Sequence, residues 1–264
     1  MPASQSAVQL YTLREFLKTR ADFIATLDKV RAIGYTAVQF SAVGCMNGEK
    51  PEVDAATARK LLDERGLACV ATHRGWDALA KDTQREIDFH QALGCKYAGI
   101  GGIPAPYREQ GAAGFRQFAR DAQPTLAKLK AAGIVFVYHN HAFEFKRILP
   151  GRKTWYDAFI EEGGADFGLE IDTYWAAHAG VNPTTLIRRC AGRVPVIHVK
   201  DKDVTGNDGV FAPIGEGNLA WDEILPACRA ARVEWYCVEQ DNCYGRDPFD
   251  CLKSSFEFLV SKGV

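Results

Sequence analysis

Two histidines and a glutamate fall within six residues of the stretch "VYHNHAFEF": His139, His141 and Glu144. Further along, Asp172 closes "GLEID", His198 lies in "VIHVKD", Glu239 lies in "YCVEQD", and His73 ends "ACVATH". Carboxylates brought together repel one another, and a divalent cation relieves that repulsion. Carboxylates with a neutral imidazole suit Mn²⁺, Mg²⁺ or Co²⁺, and Zn²⁺ takes the same donors. Each residue also has a plainer explanation. Asp172 could cap a helix, His198 could be a hydrogen-bonded core histidine, and Glu239 could pair with a rim lysine.

The chemistry requires elements that bring these residues to one place. Eight short runs rich in β-branched and aromatic residues recur: 7–11, 37–40, 68–73, 96–101, 134–140, 167–172, 194–200 and 235–240. Most are bounded by Gly, Pro, Asn or Asp, as strands are. Longer amphipathic stretches separate them. "REFLKTRADFIATLDKVRAI" stops at Gly34, "DAATARKLLDER" starts on Asp54 and stops at Gly66, and "GFRQFARDAQPTLAKLKAA" stops at Gly133. Glycine just past the last helical residue is a usual helix stop. Pro124 lies inside the third stretch and should kink or divide it.

Strict alternation of eight strands and eight helical stretches predicts an α/β protein: a single (β/α)₈ barrel over residues 1–264, with parallel strands and right-handed crossovers. The rival, a doubly wound open sheet, wants a glycine-rich phosphate turn after its first strand. Here that strand runs into "TLREF", and "GIGGIP" after the fourth strand reads as a tight strand exit. Barrel active sites lie at the carboxyl ends of the strands. His73 ends the third strand, the opening stretch ends the fifth, and Asp172, His198 and Glu239 lie at or near the ends of the sixth, seventh and eighth.

The 264 residues carry 32 basic and 33 acidic side chains, a net charge of -1, which argues against a nucleic-acid partner. No apolar run approaches membrane-span length, and the opening residues lack a basic segment followed by a long apolar one. A cytoplasmic protein with no membrane partner is expected. Its eight cysteines include no C-x-x-C pair and are expected as reduced thiols.

The motifs "QLYTLR", "YHNHAFEF", "GLEIDTYWAAHAG", "IHVKDKD", "PIGEGNLAWDEIL" and "WYCVEQD" resemble the sugar phosphate isomerase/epimerase family of xylose-isomerase-like TIM barrels, in order and along essentially the whole chain. The resemblance implies a divalent metal, most often Mn²⁺, held by Glu144, Asp172, His198 and Glu239. Many relatives carry the strand-five glutamate inside the strand, directly before an Asn-His pair; His139 holds that place here. In a regular strand His139, His141 and Phe143 share one face and Glu144 the other. Glu144 can therefore join the site only if the chain bends or bulges after His141. Glu144 is the expected ligand, and the His139/His141 pair is its rival.

The activity so implied is proton transfer beside the carbonyl of a sugar or keto-sugar through a stabilised enediolate. Glu144 and Glu239 would exchange the proton, with Lys200 beside the metal and His141 as orienter or acid/base. His73, Trp175, Trp76 and Glu216 would touch substrate. A lyase that eliminates a substituent from a keto-sugar or 3-keto-glycoside would use nearly the same groups. A non-catalytic sugar-binding barrel is the more distant alternative. The particular sugar, its phosphorylation and the oligomeric state are not determined by these residues.

Overall fold

A computed structural model describes residues 5–264. Among the described residues ten strands form: β1 (Ser6–Gln9), β2 (Ala37–Phe40), β3 (Ala68–His73), β4 (Tyr97–Ile100), β5 (Val135–His139), β6 (Gly168–Asp172), β7 (Val196–Val199), β8 (Asp201–Thr205), β9 (Asp208–Ala212) and β10 (Trp235–Val238). Strands β1 to β7 and β10 close into a barrel in the order β1-β10-β7-β6-β5-β4-β3-β2. Every barrel pairing is parallel. The expected (β/α)₈ barrel is thus present, with helices between successive barrel strands.

Alternation along the strands builds the site. Ala7, Ala37, Ala71, Val137, Val196 and Cys237 pack together in an inner apolar cluster, separate from the larger core around it. Residues two further along share that inward face. They are Gln9, Gln39, His73, His139, His198 and Glu239. A polar layer therefore lies above the apolar one, on the side of the strand ends. On β4 the corresponding residue is Gly99, and a Cβ there would come within 2.9 Å of the His73 ring. Glycine at this position gives that ring its room.

Local signals act as the sequence suggests. Asp54 caps the helix Ala55–Asp63 by accepting from Thr57 N. Thr19 and Asp22 form a reciprocal capping box on the helix Arg20–Ile33. Pro124 divides its stretch into Ala112–Asp121 and Gln123–Ala131 and sits in the first turn of the second helix. The first strand is shorter than expected: the Gln9 side chain accepts from Tyr11 N, and a 3₁₀ turn begins at Leu10.

One element goes beyond the alternation. After β7 the chain makes an antiparallel hairpin, β8 with β9. The two-residue Gly206-Asn207 loop, with Gly206 at φ +61°, is the local signal for it. At its base the buried Asp201 carboxylate accepts from the backbone N–H groups of Gly215, Gly217 and Leu219 and from Trp221 Nε1 at 2.6–3.2 Å. The "IGEGN" turn wraps around this carboxylate. A Cβ on Gly217 would lie 2.5 Å from Asp201 Oδ1, so the close approach requires glycine. All eight cysteines are free thiols.

Candidate active site

The strand ends bring His139, Asp172, His198 and Glu239 together. One donor atom from each lies within 4.8 Å of all the others, and all four residues are buried. Register accounts for the meeting: Asp172 pairs with His198 across β6 and β7, and His139 pairs with Glu170 across β5 and β6. His139 Nε2 lies 3.1 Å from Asp172 Oδ2. His198 Nδ1 lies 2.9 Å from Glu239 Oε2 and 3.9 Å from Asp172 Oδ2. Asp172 also fulfils the plainer reading, because its Oδ1 accepts from Trp175 N at 2.8 Å and caps the helix Thr173–His178. Capping and clustering use different oxygens of one carboxylate.

Lys200 continues the inward row from His198. Its ammonium lies 3.0 Å from Glu239, 2.9 Å from Asp241 and 3.4 Å from Asp172, in a side chain only 1% exposed. A buried cation among three carboxylates is the arrangement that burial of like charges demands. The carboxylates hold the lysine well above its usual range against the opposing effect of burial. Burial pushes Asp172 up to about 7, opposed by Lys200 and His198. For His198, burial opposes the charge, but Glu170 and Glu239 outweigh it and raise the ring to about 10. Glu239 stays ionised below the usual carboxylate range, because Lys200 and His198 outweigh its burial.

The donor set fits a divalent cation. Two imidazoles and two carboxylates converge from adjacent strands, and they are donors that Mn²⁺, Co²⁺ and Zn²⁺ accept. Buried Nδ1 atoms of His139 and His141 have no protein hydrogen-bond partner. A cavity of about 330 Å³ opens over the group, lined by His73, His139, His141, Lys200, Glu239 and Asp241 among others. That volume suits a small ligand.

Glu144 takes a different place from the one expected. The strand ends at His139 and the chain does bend, into a 3₁₀ turn Phe143–Phe145. The bend turns the carboxylate back toward the helix side of the strand. Its oxygens accept from Tyr138 Oη at 2.9 Å and from His141 N at 2.9 Å, and the residue is fully buried. Tyr138 packs with Phe159 and Phe167 in the outer core, so Glu144 belongs to that layer. Burial raises its carboxyl to about 7. The rival, His139, stands among the ligand-type side chains instead.

His141, His73 and Lys200 all line the cavity. Burial, then the charge of Lys200, depresses His141 to about 4. Trp175 is beside them, its ring 5.5 Å from that of His141 and 5.7 Å from the Lys200 ammonium. Trp76 is not: it packs edge-on against Phe118 and Phe136, between barrel and helices. Glu216 is also elsewhere, exposed and bound by Arg246 at 2.6 Å and Ser254 at 2.5 Å. Sequence reasoning passed over Gln39, whose amide bridges Glu170 and His198 at 2.7 and 2.8 Å. Its signal was parity, since Gln39 is the inward-facing polar residue of β2.

The sequence profile of the xylose isomerase-like TIM barrel family matches residues 27–261. No curated protein sequence matches the chain. Among solved structures, a sugar phosphate isomerase/epimerase from Parabacteroides distasonis ATCC 8503 superposes with TM-score 0.80 at 21% identity, over 98% of both chains. An L-ribulose 3-epimerase gives TM-score 0.69 at 16% identity over 98% of this chain and 94% of its own. A D-psicose 3-epimerase gives 0.69 at 14% over 97% and 98%. These likenesses are of fold. The closed parallel barrel and a profile match that covers most of its length make the chain a member of the xylose isomerase-like TIM barrel family.

Proposed function

We propose that the protein is a divalent-metal-dependent isomerase or epimerase of a sugar or keto-sugar, working by proton transfer beside a carbonyl. The observation that carries this reading is the buried His139, Asp172, His198 and Glu239 group beneath a cavity of about 330 Å³. The fold-level likeness to structures named as L-ribulose and D-psicose 3-epimerases supports the substrate class. His139, Asp172, His198 and Glu239 would hold the cation, Mn²⁺ first, with Mg²⁺, Co²⁺ or Zn²⁺ as alternatives. When bound it supplies Lewis-acid polarisation of substrate oxygens.

The chain's own groups do the rest. Lys200 donates hydrogen bonds to the substrate oxygen on which negative charge grows. His141, held neutral at pH 7, and the ionised Glu239 are the proton acceptors at the cavity wall. Trp175 offers a face for sugar stacking, and His73 a ring nitrogen for a hydroxyl. Glu144 has no part in proton exchange, because Tyr138 and His141 N engage its oxygens away from the cavity.

A lyase is the second reading. Epimerisation uses a base on each side of the carbon, here Glu239 and the weakly basic His141, whereas elimination from a keto-glycoside needs one base and an acid.

The test is incubation of Mn²⁺-loaded protein in D₂O with a panel of ketoses and 3-keto-glycosides. Deuterium retained at the carbon beside the carbonyl, with a new isomer, is expected. Aglycone release would support the lyase. Neither exchange nor release across the panel, with sugar still bound, would leave a sugar-binding barrel.

A further inference from the structure

A second cavity, of about 540 Å³, adjoins the candidate active site, and the proposed proton transfer leaves it unused. Its wall consists of Ala105, Arg108, Glu109, Phe143, Lys146 and Trp155. The two cavities share a partition. Gly101 lines the first and Ala105 the second, on the same exit from β4. His141 lines the first and Phe143 the second, and their rings lie 16° from parallel with centroids 6.1 Å apart. Backbone contacts fix the far wall. Trp155 N donates to Lys146 O at 3.0 Å and Tyr156 N to Glu144 O at 2.7 Å, so Trp155 stands beside Lys146. The indole packs against Phe115, ring centroids 5.5 Å apart. Gly111, at φ +59°, passes beside it; a Cβ there would lie 3.3 Å from the indole.

Two cations cover these rings. Arg108 Cζ lies 4.0 Å from the centre of Phe143, and Lys146 Nζ lies 5.0 Å from that of Trp155. Among the described residues neither has a carboxylate at ion-pair distance. The Arg108 charge reaches the buried Glu144, but Tyr138 and His141 N already engage the oxygens of that carboxyl. Glu109 is the one acidic residue of the wall, so two cations against one carboxylate leave it net positive. Cations on flexible stems over ring faces can turn to an anion, and in turning they uncover those faces. A bare phosphate would answer the charges and leave the aromatic wall wet. An uncharged ring would cover the wall and leave the cations unanswered. An aryl carboxylate does both. We propose that this cavity is a subsite for an aryl carboxylate borne by the sugar substrate, with Arg108 and Lys146 binding the acid and Phe143 and Trp155 the ring. The link to a sugar rests on the proposed reaction; the aryl-carboxylate site does not.

The experiment follows the tryptophan indole N–H signals, five in this chain, while chelator-treated protein is titrated with 4-methoxybenzoate. Trp155→Phe identifies the Trp155 signal. That signal is expected to move saturably. The uncharged 4-methoxybenzyl alcohol and inorganic phosphate should each bind at least roughly fivefold more weakly. Exposed charge pairs contribute a few-fold each, so Arg108→Gln combined with Lys146→Gln should weaken 4-methoxybenzoate roughly tenfold. Both side chains are exposed, and the double variant should keep the native fold. An unmoved Trp155 signal would overturn the subsite. So would equal binding of phosphate or of the alcohol, or a double variant within about twofold of the native chain. Calorimetry on Zn²⁺-loaded protein then compares 4-carboxyphenyl glucoside with methyl glucoside. The aryl glucoside should bind at least roughly tenfold tighter, because its two parts occupy adjoining cavities. Equal affinity would overturn the link to the sugar. The metal-free titrations do not depend on turnover: a panel with no exchange in D₂O would sink the reaction and leave the subsite standing.

Discussion

His139 Nε2 stands 3.1 Å from Asp172 Oδ2 across the seam between β5 and β6. This contact puts the strand-five histidine against the other ligand-type side chains, in the place expected for Glu144. The consequence is measurable. His139→Ala should weaken Mn²⁺ binding by more than about tenfold, since losing even an outer partner of a ligand costs that much. Glu144→Gln should leave it within about twofold. Calorimetric titration of both variants decides the matter, and the reverse order of effects would restore Glu144 as ligand.

Glu144 has its own pH signature. Its folded-state pKa is raised by burial from 4.5 to about 7. The stabilisation is therefore fully present below pH 4.5, declines as pH rises, and is lost above 7. A shift of this size amounts to about 3 kcal/mol. Urea unfolding between pH 5 and 8 should show native stability falling relative to Glu144→Gln. Parallel curves for the two proteins would contradict it.

Lys200 balances Asp172, Glu239 and Asp241 within 3.4 Å. Lys200→Met leaves buried carboxylates uncompensated, and breaking such a set typically costs about 3–5 kcal/mol. In chelator the variant should melt roughly 10 °C below the native chain. Added Mn²⁺ should recover a larger part of the loss than it adds to native protein. An unchanged melting temperature in chelator would show that the lysine is not the balancing charge.

His141 is depressed to about 4 by burial and then by Lys200. A bound dication would press it further the same way. The ring is thus neutral from about pH 5 upward, and kcat/KM should show no acid limb near the ordinary histidine value. His141→Phe should lower kcat by roughly 10²–10⁴-fold, the usual contribution of a general base, with Mn²⁺ affinity kept. Rate profiles and metal titrations of the same preparation separate these two effects.

Much of this was legible along the chain. The eight strands, the caps at Asp54 and Gly34 and the division at Pro124 are local events, decided by residues next to one another. Asp172, His198 and Glu239 were readable as a group, because period-two alternation carries a residue's facing along a strand once the barrel is known. Past the last strand residue that rule lapses, and with it the expectation for Glu144, Trp76 and Glu216. The hairpin after β7 was signalled by Gly206-Asn207, but the strict β/α alternation obscured it.

The sequence by itself determined the barrel, the ends at which polar residues collect, and three members of the buried group. Tertiary structure alone decided the fourth. At the rim of β5 the competitors for one place were an imidazole and a carboxylate five residues apart. The outer core engages the carboxylate: Tyr138, packed against Phe159 and Phe167, offers Glu144 a buried hydroxyl, and the 3₁₀ turn adds a backbone N–H. His139, still in the strand, keeps its inward parity. A carboxylate with two donors on the helix side has no cause to turn back into the barrel, and those donors come from packing that no local pattern encodes.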